Sequence, residues 1–195
     1  MKISLTVITF FLISCGDPPV SKAHQFQRNL PDTSKSWSGQ KTAETFHVTR
    51  KFEHEIELFS LIDGPMQTEI RIWNLSASYD PQSLTILQQA DSISWLLRRV
   101  NFFYKKPDSI ISDLSKKIPA QSIDRLKIDR LWNFKSQSDL VNGDSFGCMD
   151  GNINFIEIAD FNRYRFSWYN CPFLNKDRDS TFFLITEFTT KLAAL

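Results

Sequence analysis

The side chains that could do chemistry are few and badly spaced for it. The three histidines are His24, His47 and His54. No cysteine lies near them in sequence, and zinc needs a tighter set of nitrogen and sulfur ligands than this. No Gly-x-Ser-x-Gly elbow and no phosphate-cradling glycine loop occurs. Asp150 and Glu157 could be pictured as paired carboxylates for acid–base work, although an acid at each of two positions on one hairpin is commonplace. Arg163 and Arg165 share a strand face and could grip an anion, although a solvated or salt-bridged edge accounts for them more simply. The sequence therefore assigns no catalytic residue, no metal ligand, no cofactor and no reaction.

Cysteine chemistry is more informative. Cys15 closes an apolar run from Ile3 to Ile13, preceded by Lys2. Such a run suits the core of a secretory signal and is too short for a spanning helix, which needs about 20 residues. Leu12-Ile13-Ser14-Cys15, followed by Gly16, resembles the lipobox of bacterial lipoproteins. The resemblance implies that residues 1–14 are a signal peptide cut after Ser14. It also implies that Cys15 is the acylated residue, anchoring the protein in a membrane by its acyl chains, such as palmitate. Each buried CH₂ would contribute about 0.8 kcal/mol to that anchor. In that family an acid directly after the cysteine favours inner-membrane retention. Gly16 stands there, with Asp17 next, so the expected address is the outer membrane of the cell envelope.

Composition limits the rest. The 195 residues carry 23 lysines and arginines against 22 acids, and loss of Lys2 with the signal would leave the mature chain formally neutral. That balance excludes the basic footprint of a nucleic-acid binder. With 42% hydrophobic residues, 17 Phe and 5 Trp, the chain can fill one core. The expected organisation is a signal peptide over 1–14, a lipidated N-terminus and tether over 15–45, and one globular domain over 46–195. Pro18, Pro19 and Pro31 among polar residues carry the tether reading.

Within the domain, Phe52, Ile56, Leu58 and Ile62 lie on one parity and Glu53, Glu55 and Glu57 on the other, which predicts a strand. Asp63-Gly64-Pro65 is turn chemistry, and Thr68, Ile70 and Ile72 alternate with Glu69, Arg71 and Trp73. The two runs, 52–62 and 67–73, are expected to pair, with Glu55, Glu57, Glu69 and Arg71 on the exposed face. Leu84 and Ile86 suggest a short strand. Residues 93–104 fit both a helix and a strand; the strand is preferred. A short helix is expected over 109–117. A second helix, capped by Ser122, points Ile123, Leu126 and Leu131 inward. Residues 148–171 read as a hairpin turning at Asp160–Asn162. Phe182, Ile185, Phe188 and Leu192 keep a helical stripe behind Asp177 or Asp179 as N-cap.

The hairpin brings Cys148 and Cys171 to its open end. Beyond the inner membrane the surroundings are oxidising, so the pair is expected to form a disulfide. Glu69-Ile-Arg-Ile-Trp73, Asp150-Gly151, Glu157, Asn162-Arg-Tyr-Arg165 and Tyr169-Asn-Cys-Pro172 together resemble a group of uncharacterised bacterial secreted proteins. Cys171, between Asn170 and Pro172, departs from their pattern. The resemblance spans roughly residues 52–192. It implies an α+β domain, favours the strand at 93–104, and transfers no activity. The expected fold is α+β, an antiparallel sheet with helices packed on one face and a C-terminal helix. The expected role is a lipid-anchored, non-enzymatic domain whose partner is another envelope protein or a glycan. The alternative is a hydrolase or small-ligand carrier using a cleft near the hairpins.

Overall fold

The computed structural model describes residues 26–31, 34, 36–76, 81–103, 106–148 and 151–195. The fold is mixed α+β. Seven strands form one sheet: β1 (Gln27–Asn29), β2 (Glu69–Leu75), β3 (Gln82–Asp91), β4 (Ser94–Phe103), β5 (Lys106–Pro119), β6 (Ile153–Ala159) and β7 (Arg163–Asn170). Their order across the sheet is β1-β7-β6-β2-β3-β4-β5, and every pairing is antiparallel except the short β1 beside β7. The helices are α1 (Trp37–Glu55), α2 (Ala120–Asp124), α3 (Pro172–Asn175) and α4 (Ser180–Ala193).

Helices cover both faces of the sheet, not one. On one face Phe52 and Ile56, at the end of α1, pack on Trp73, Leu84, Val100, Phe102, Phe155 and Phe166. On the other, Phe182, Ile185, Phe188 and Leu192 of α4 join Ile123, Leu126 and Leu131 over Ile70, Ile72, Leu87, Leu97, Ile156 and Ile158. Successive side chains in a strand point to opposite faces, so strands buried on both sides read as nearly continuous apolar runs. The strand at 153–159, Ile-Asn-Phe-Ile-Glu-Ile-Ala, has that form.

Several expectations hold. Strand β4 occupies 94–103, the 153–159 and 163–170 strands form a hairpin, and Asp179 caps α4 by accepting Thr181 N–H at 2.7 Å. Others are corrected. Residues 52–62 are not a strand: they include the last turn of α1 and a 3-10 turn at Leu61–Asp63, and β2 pairs instead with β3 and β6. Helix α1 also begins inside the expected tether, and β1 joins the sheet there. Its inward positions are Ser38, Thr42, Thr45, Thr49, Phe52 and Ile56, a 3–4 spacing made largely of small polar groups. Thr42 and Thr45 return their hydroxyls to the carbonyls of Ser38 and Lys41 at 2.7 and 2.8 Å. Their methyls can then pack without a lost hydrogen bond. Ser36 caps the helix by accepting Gly39 N–H at 2.9 Å.

The expected helix over 109–117 is instead part of β5. The segment gains a ladder against β4, regular over 112–117 and bulged at Ile111, with Arg98 bidentate to Asp113 and Asn101 donating to Ser112 Oγ at 2.8 Å. The expected helix capped by Ser122 is a single turn over Ala120–Asp124, with Pro119 and not Ser122 at its N-cap; Lys127, in the left-handed region, opens the 3-10 turn over Ile128–Asn133 that follows.

Candidate functional site

Glu69, Arg71 and Trp73 alternate along β2 and share the face that α1 covers. Instead of lying exposed, the charges are sealed there. Arg71 donates from Nε to Glu69 Oε1 at 2.7 Å and from Nη1 to Glu53 Oε1. Glu53 Oε2 pairs with Arg50 Nη1 at 2.8 Å, and Arg50 Nη2 reaches Glu157. Glu157 is fully buried; Tyr164 OH donates to one of its oxygens and Trp73 Nε1 to the other, each at 2.7 Å.

Two guanidiniums thus face three carboxylates, leaving one negative charge in excess when all are ionised. Burial, then the charge of Glu157, pushes Glu53 up to about 8. Burial, then the same carboxylate, raises the Tyr164 phenol well above its usual range. Burial works against the charge of Arg50, but Glu157, Tyr164 and Glu53 hold its guanidinium above its ordinary value. Every member of this network has a partner inside the protein. It ties α1 to the sheet and presents no group to a substrate.

The remaining sequence candidates resolve individually. Asp150 and His24 lie outside the described residues, as does Cys15. His47 and His54 lie on α1. No group of three or more His, Cys, Asp or Glu among the described residues could hold a metal ion. Arg165 donates to Phe134 O at 3.1 and 2.6 Å, and Arg163 stacks over Trp132 at 3.8 Å while pairing with Asp160. Both arginines hold the 128–134 segment against β7.

The cysteines do meet. Cys148 and Cys171 form a disulfide with Cα atoms 6.2 Å apart. Cys171 takes a left-handed conformation between β7 and α3. Gly151 sits against both sulfurs, and a Cβ there would overlap them.

A depression opens on each side of this bridge, at the sheet end where β2 and β7 finish. The first, about 560 Å³, is lined by Asn74, Gln82, Asn152, Asn154, Phe173 and Leu174 among others. The second, about 340 Å³, lies between α1 and the sheet, with Trp37, Val48, Leu75, Ile153 and Trp168 in its wall. Ser76 and Gly151 line both. Trp168 is 1% exposed, and its indole N–H has no partner among the described residues. A buried donor left unpaired is costly, so such a group marks a place where a ligand oxygen or a water is welcome. Trp37 meets the Trp168 ring edge-on at 6.0 Å.

Beyond β1, the N–H groups of Trp168 and Asn170 are taken by Ser136 Oγ and Gln137 Oε1 at 3.1 and 2.8 Å, so a loop and not a strand flanks them. The sequence brings the two cysteines together and offers a cleft near the hairpins as the alternative reading, but it does not identify the rest of the lining, which comes from five separate segments.

No family model, curated protein or solved structure matches this chain.

Proposed function

We propose that this protein is a lipid-anchored, non-catalytic binding domain of the cell envelope, held by acyl chains on Cys15, that takes a neutral glycan in the cleft beside the Cys148–Cys171 bridge. The observation that carries the ligand class is the lining of the larger depression. Asn74, Asn152 and Asn154 surround the exposed side chains of Phe173 and Leu174, with no ionisable group among the described lining residues; Gln82, also in the wall, has its amide engaged by the N–H and C=O of Ser76. Amides both donate and accept, and so suit hydroxyl groups. An adjacent apolar side chain suits the C–H face of a sugar ring. In the second depression the ionisable lining residues are Lys41 and Glu44, which pair with each other at 2.6 Å. The hydrolase alternative finds no acid–base pair among these lining residues.

The anchor rests on the lipobox and on the outer-membrane reading of Gly16. The Cys15→Ala variant is expected to lose metabolic labelling by palmitate; unchanged labelling contradicts the anchor. The ligand class is tested by probing an array of bacterial surface and cell-wall glycans with the folded domain. Binding that falls at least tenfold in Asn154→Ala and Phe173→Ala, with melting temperature unchanged, supports the cleft. Binding unaltered in both variants, or no glycan bound at all, contradicts it.

A further inference from the structure

The two ends of the sheet differ in kind. At the end opposite the cleft, three connections turn: the segment leading into β2, the β3–β4 turn and the β6–β7 turn. Each has one large apolar residue at its tip. Met66 is 86% exposed, Ile93 75% and Phe161 55%. A single exposed apolar side chain is ordinary. Three on successive turns of one sheet end form a row. Three strand spacings separate the β6–β7 turn from the β3–β4 turn, about 14 Å, with the approach to β2 between them.

The chain enters the domain at this same end. Gln27, the first residue of β1, donates its N–H to Asn162 O at 2.8 Å, in the β6–β7 turn. The Phe26 ring lies beside Gly64, where an added Cβ would come within 3.3 Å of it, just before Met66. Ten residues separate Cys15 from Phe26, a reach of no more than about 40 Å over the Cα-to-Cα steps between them. That is far shorter than a tether running to residue 45 would give. The charges bordering the row are balanced: Asp91 pairs with Lys117 at 3.3 Å, Asp160 pairs with Arg163 at 3.2 Å, and exposed Asp63 near Met66 is matched in number by exposed Arg28, whose Nε donates to Ile62 O at 3.1 Å. A neutral, apolar-tipped rim suits the interface of a bilayer and needs no anionic lipid.

We propose that this rim rests on the bilayer that holds Cys15, with Met66, Ile93 and Phe161 seated in its interface. The proposal rests on the lipid-anchored reading above. It turns the molecule so that the cleft points away from the membrane. Strands β6 and β7 are seven and eight residues long, so the cleft stands roughly 25 Å beyond the rim.

The test uses the full acylated protein in phosphatidylcholine vesicles. Nitroxide labels are placed singly at Met66→Cys, Ile93→Cys and Phe161→Cys, with Val141→Cys, exposed beside the N-terminus of α1, as control. Collision rates with dissolved oxygen and with an aqueous nickel complex are compared. The rim labels are expected to show an oxygen-to-nickel ratio at least threefold above the control. Equal ratios at all four positions, with acylation of Cys15 verified by intact mass, overturn the docked rim and leave the anchor standing. Absence of acylation overturns the anchor and the docked rim together.

Discussion

Trp73 on β2 donates its indole N–H to Glu157 on β6 at 2.7 Å, between the sheet and the helix that covers it. The same carboxylate accepts from Tyr164 and from Arg50, so four elements of the chain converge on one side chain. Removing it by Glu157→Ala leaves a buried indole N–H and a buried phenol without their acceptor, and leaves Arg50 with Glu53 as its carboxylate partner. The two stranded donors are expected to cost about 2–5 kcal/mol together, read as the shift in urea midpoint. Tyr164→Phe removes one donor and leaves the carboxylate two others, so it is expected to cost only about 1 kcal/mol. Equal costs for the two variants would contradict Glu157 as the centre of the network.

The network also sets a pH dependence. An unfolded Glu53 titrates near 4.5 and the folded one at about 8. Between those values the folded state holds a proton that the unfolded state has lost. Stability therefore falls as pH rises through that window and levels off above it. The acids held below their usual range, Asp91, Asp113, Asp144 and Glu187, complete their titration in both states below about pH 5 and contribute no slope there. Melting temperature is expected to be higher at pH 5.5 than at pH 8, with the difference largely removed in Glu53→Ala. A rise in wild-type melting temperature over that interval would contradict the excess negative charge.

Much of the sheet was legible. Strands β2, β3 and β4 and the last hairpin show their β-formers in the sequence, and α4 shows both a stripe and a cap. Helix α1 was hidden because threonine and serine fill its inward positions, so no apolar period appears. Its last turn, Phe52 to Ile56, alternates by chance like a strand. The ion network was hidden for a related reason: Glu69 and Arg71 look like an exposed strand face until α1 is known to lie over them. Trp73 and Leu75, on that same parity, were the available signal that the face is buried. Strand β5 was missed because Ile110, Ile111, Leu114 and Ile118 keep helical spacing, and pairing with β4 overrides that local pattern. The lining of the cleft could not be read, since the fold assembles it from distant segments.

The start of α1 is expected to depend on a residue far away in sequence. Asp144 accepts the N–H groups of Ser38 and Trp37 at 2.8 and 3.3 Å, and hydrogen bonds from Ser38 hold its carboxyl below the ordinary range. It sits at the helix N-terminus, where an anion is favoured. Asp144→Ala should cost about 1 kcal/mol. It should also speed amide exchange in the first turn of α1 while leaving the last turn unchanged. Uniform exchange along the helix in the variant would contradict the local role.

The bridge at the cleft makes the last prediction. Cys148 and Cys171 are 23 residues apart, and closing a loop of that length contributes about 3 kcal/mol by the chain-entropy estimate. For a domain of this size that corresponds to about 10 °C in melting temperature. Cys148→Ser combined with Cys171→Ser is expected to lose that amount and still fold, since both hydrophobic clusters lie elsewhere. Gly151 gives an independent handle. Its missing side chain is the space the sulfurs occupy, so a methyl there must displace the bridge or the backbone beside it. Gly151→Ala is therefore expected to lower the fraction of crosslinked protein, measured by mass spectrometry of unreduced peptides, and to lower the melting temperature. In the double serine background the two oxygens are free to separate, and the same alanine should cost far less. This non-additivity is the decisive measurement. Equal costs of Gly151→Ala with and without the bridge would show that the glycine is required by its own backbone, and that the packing of Gly151 against the sulfurs is not what holds this end of the sheet.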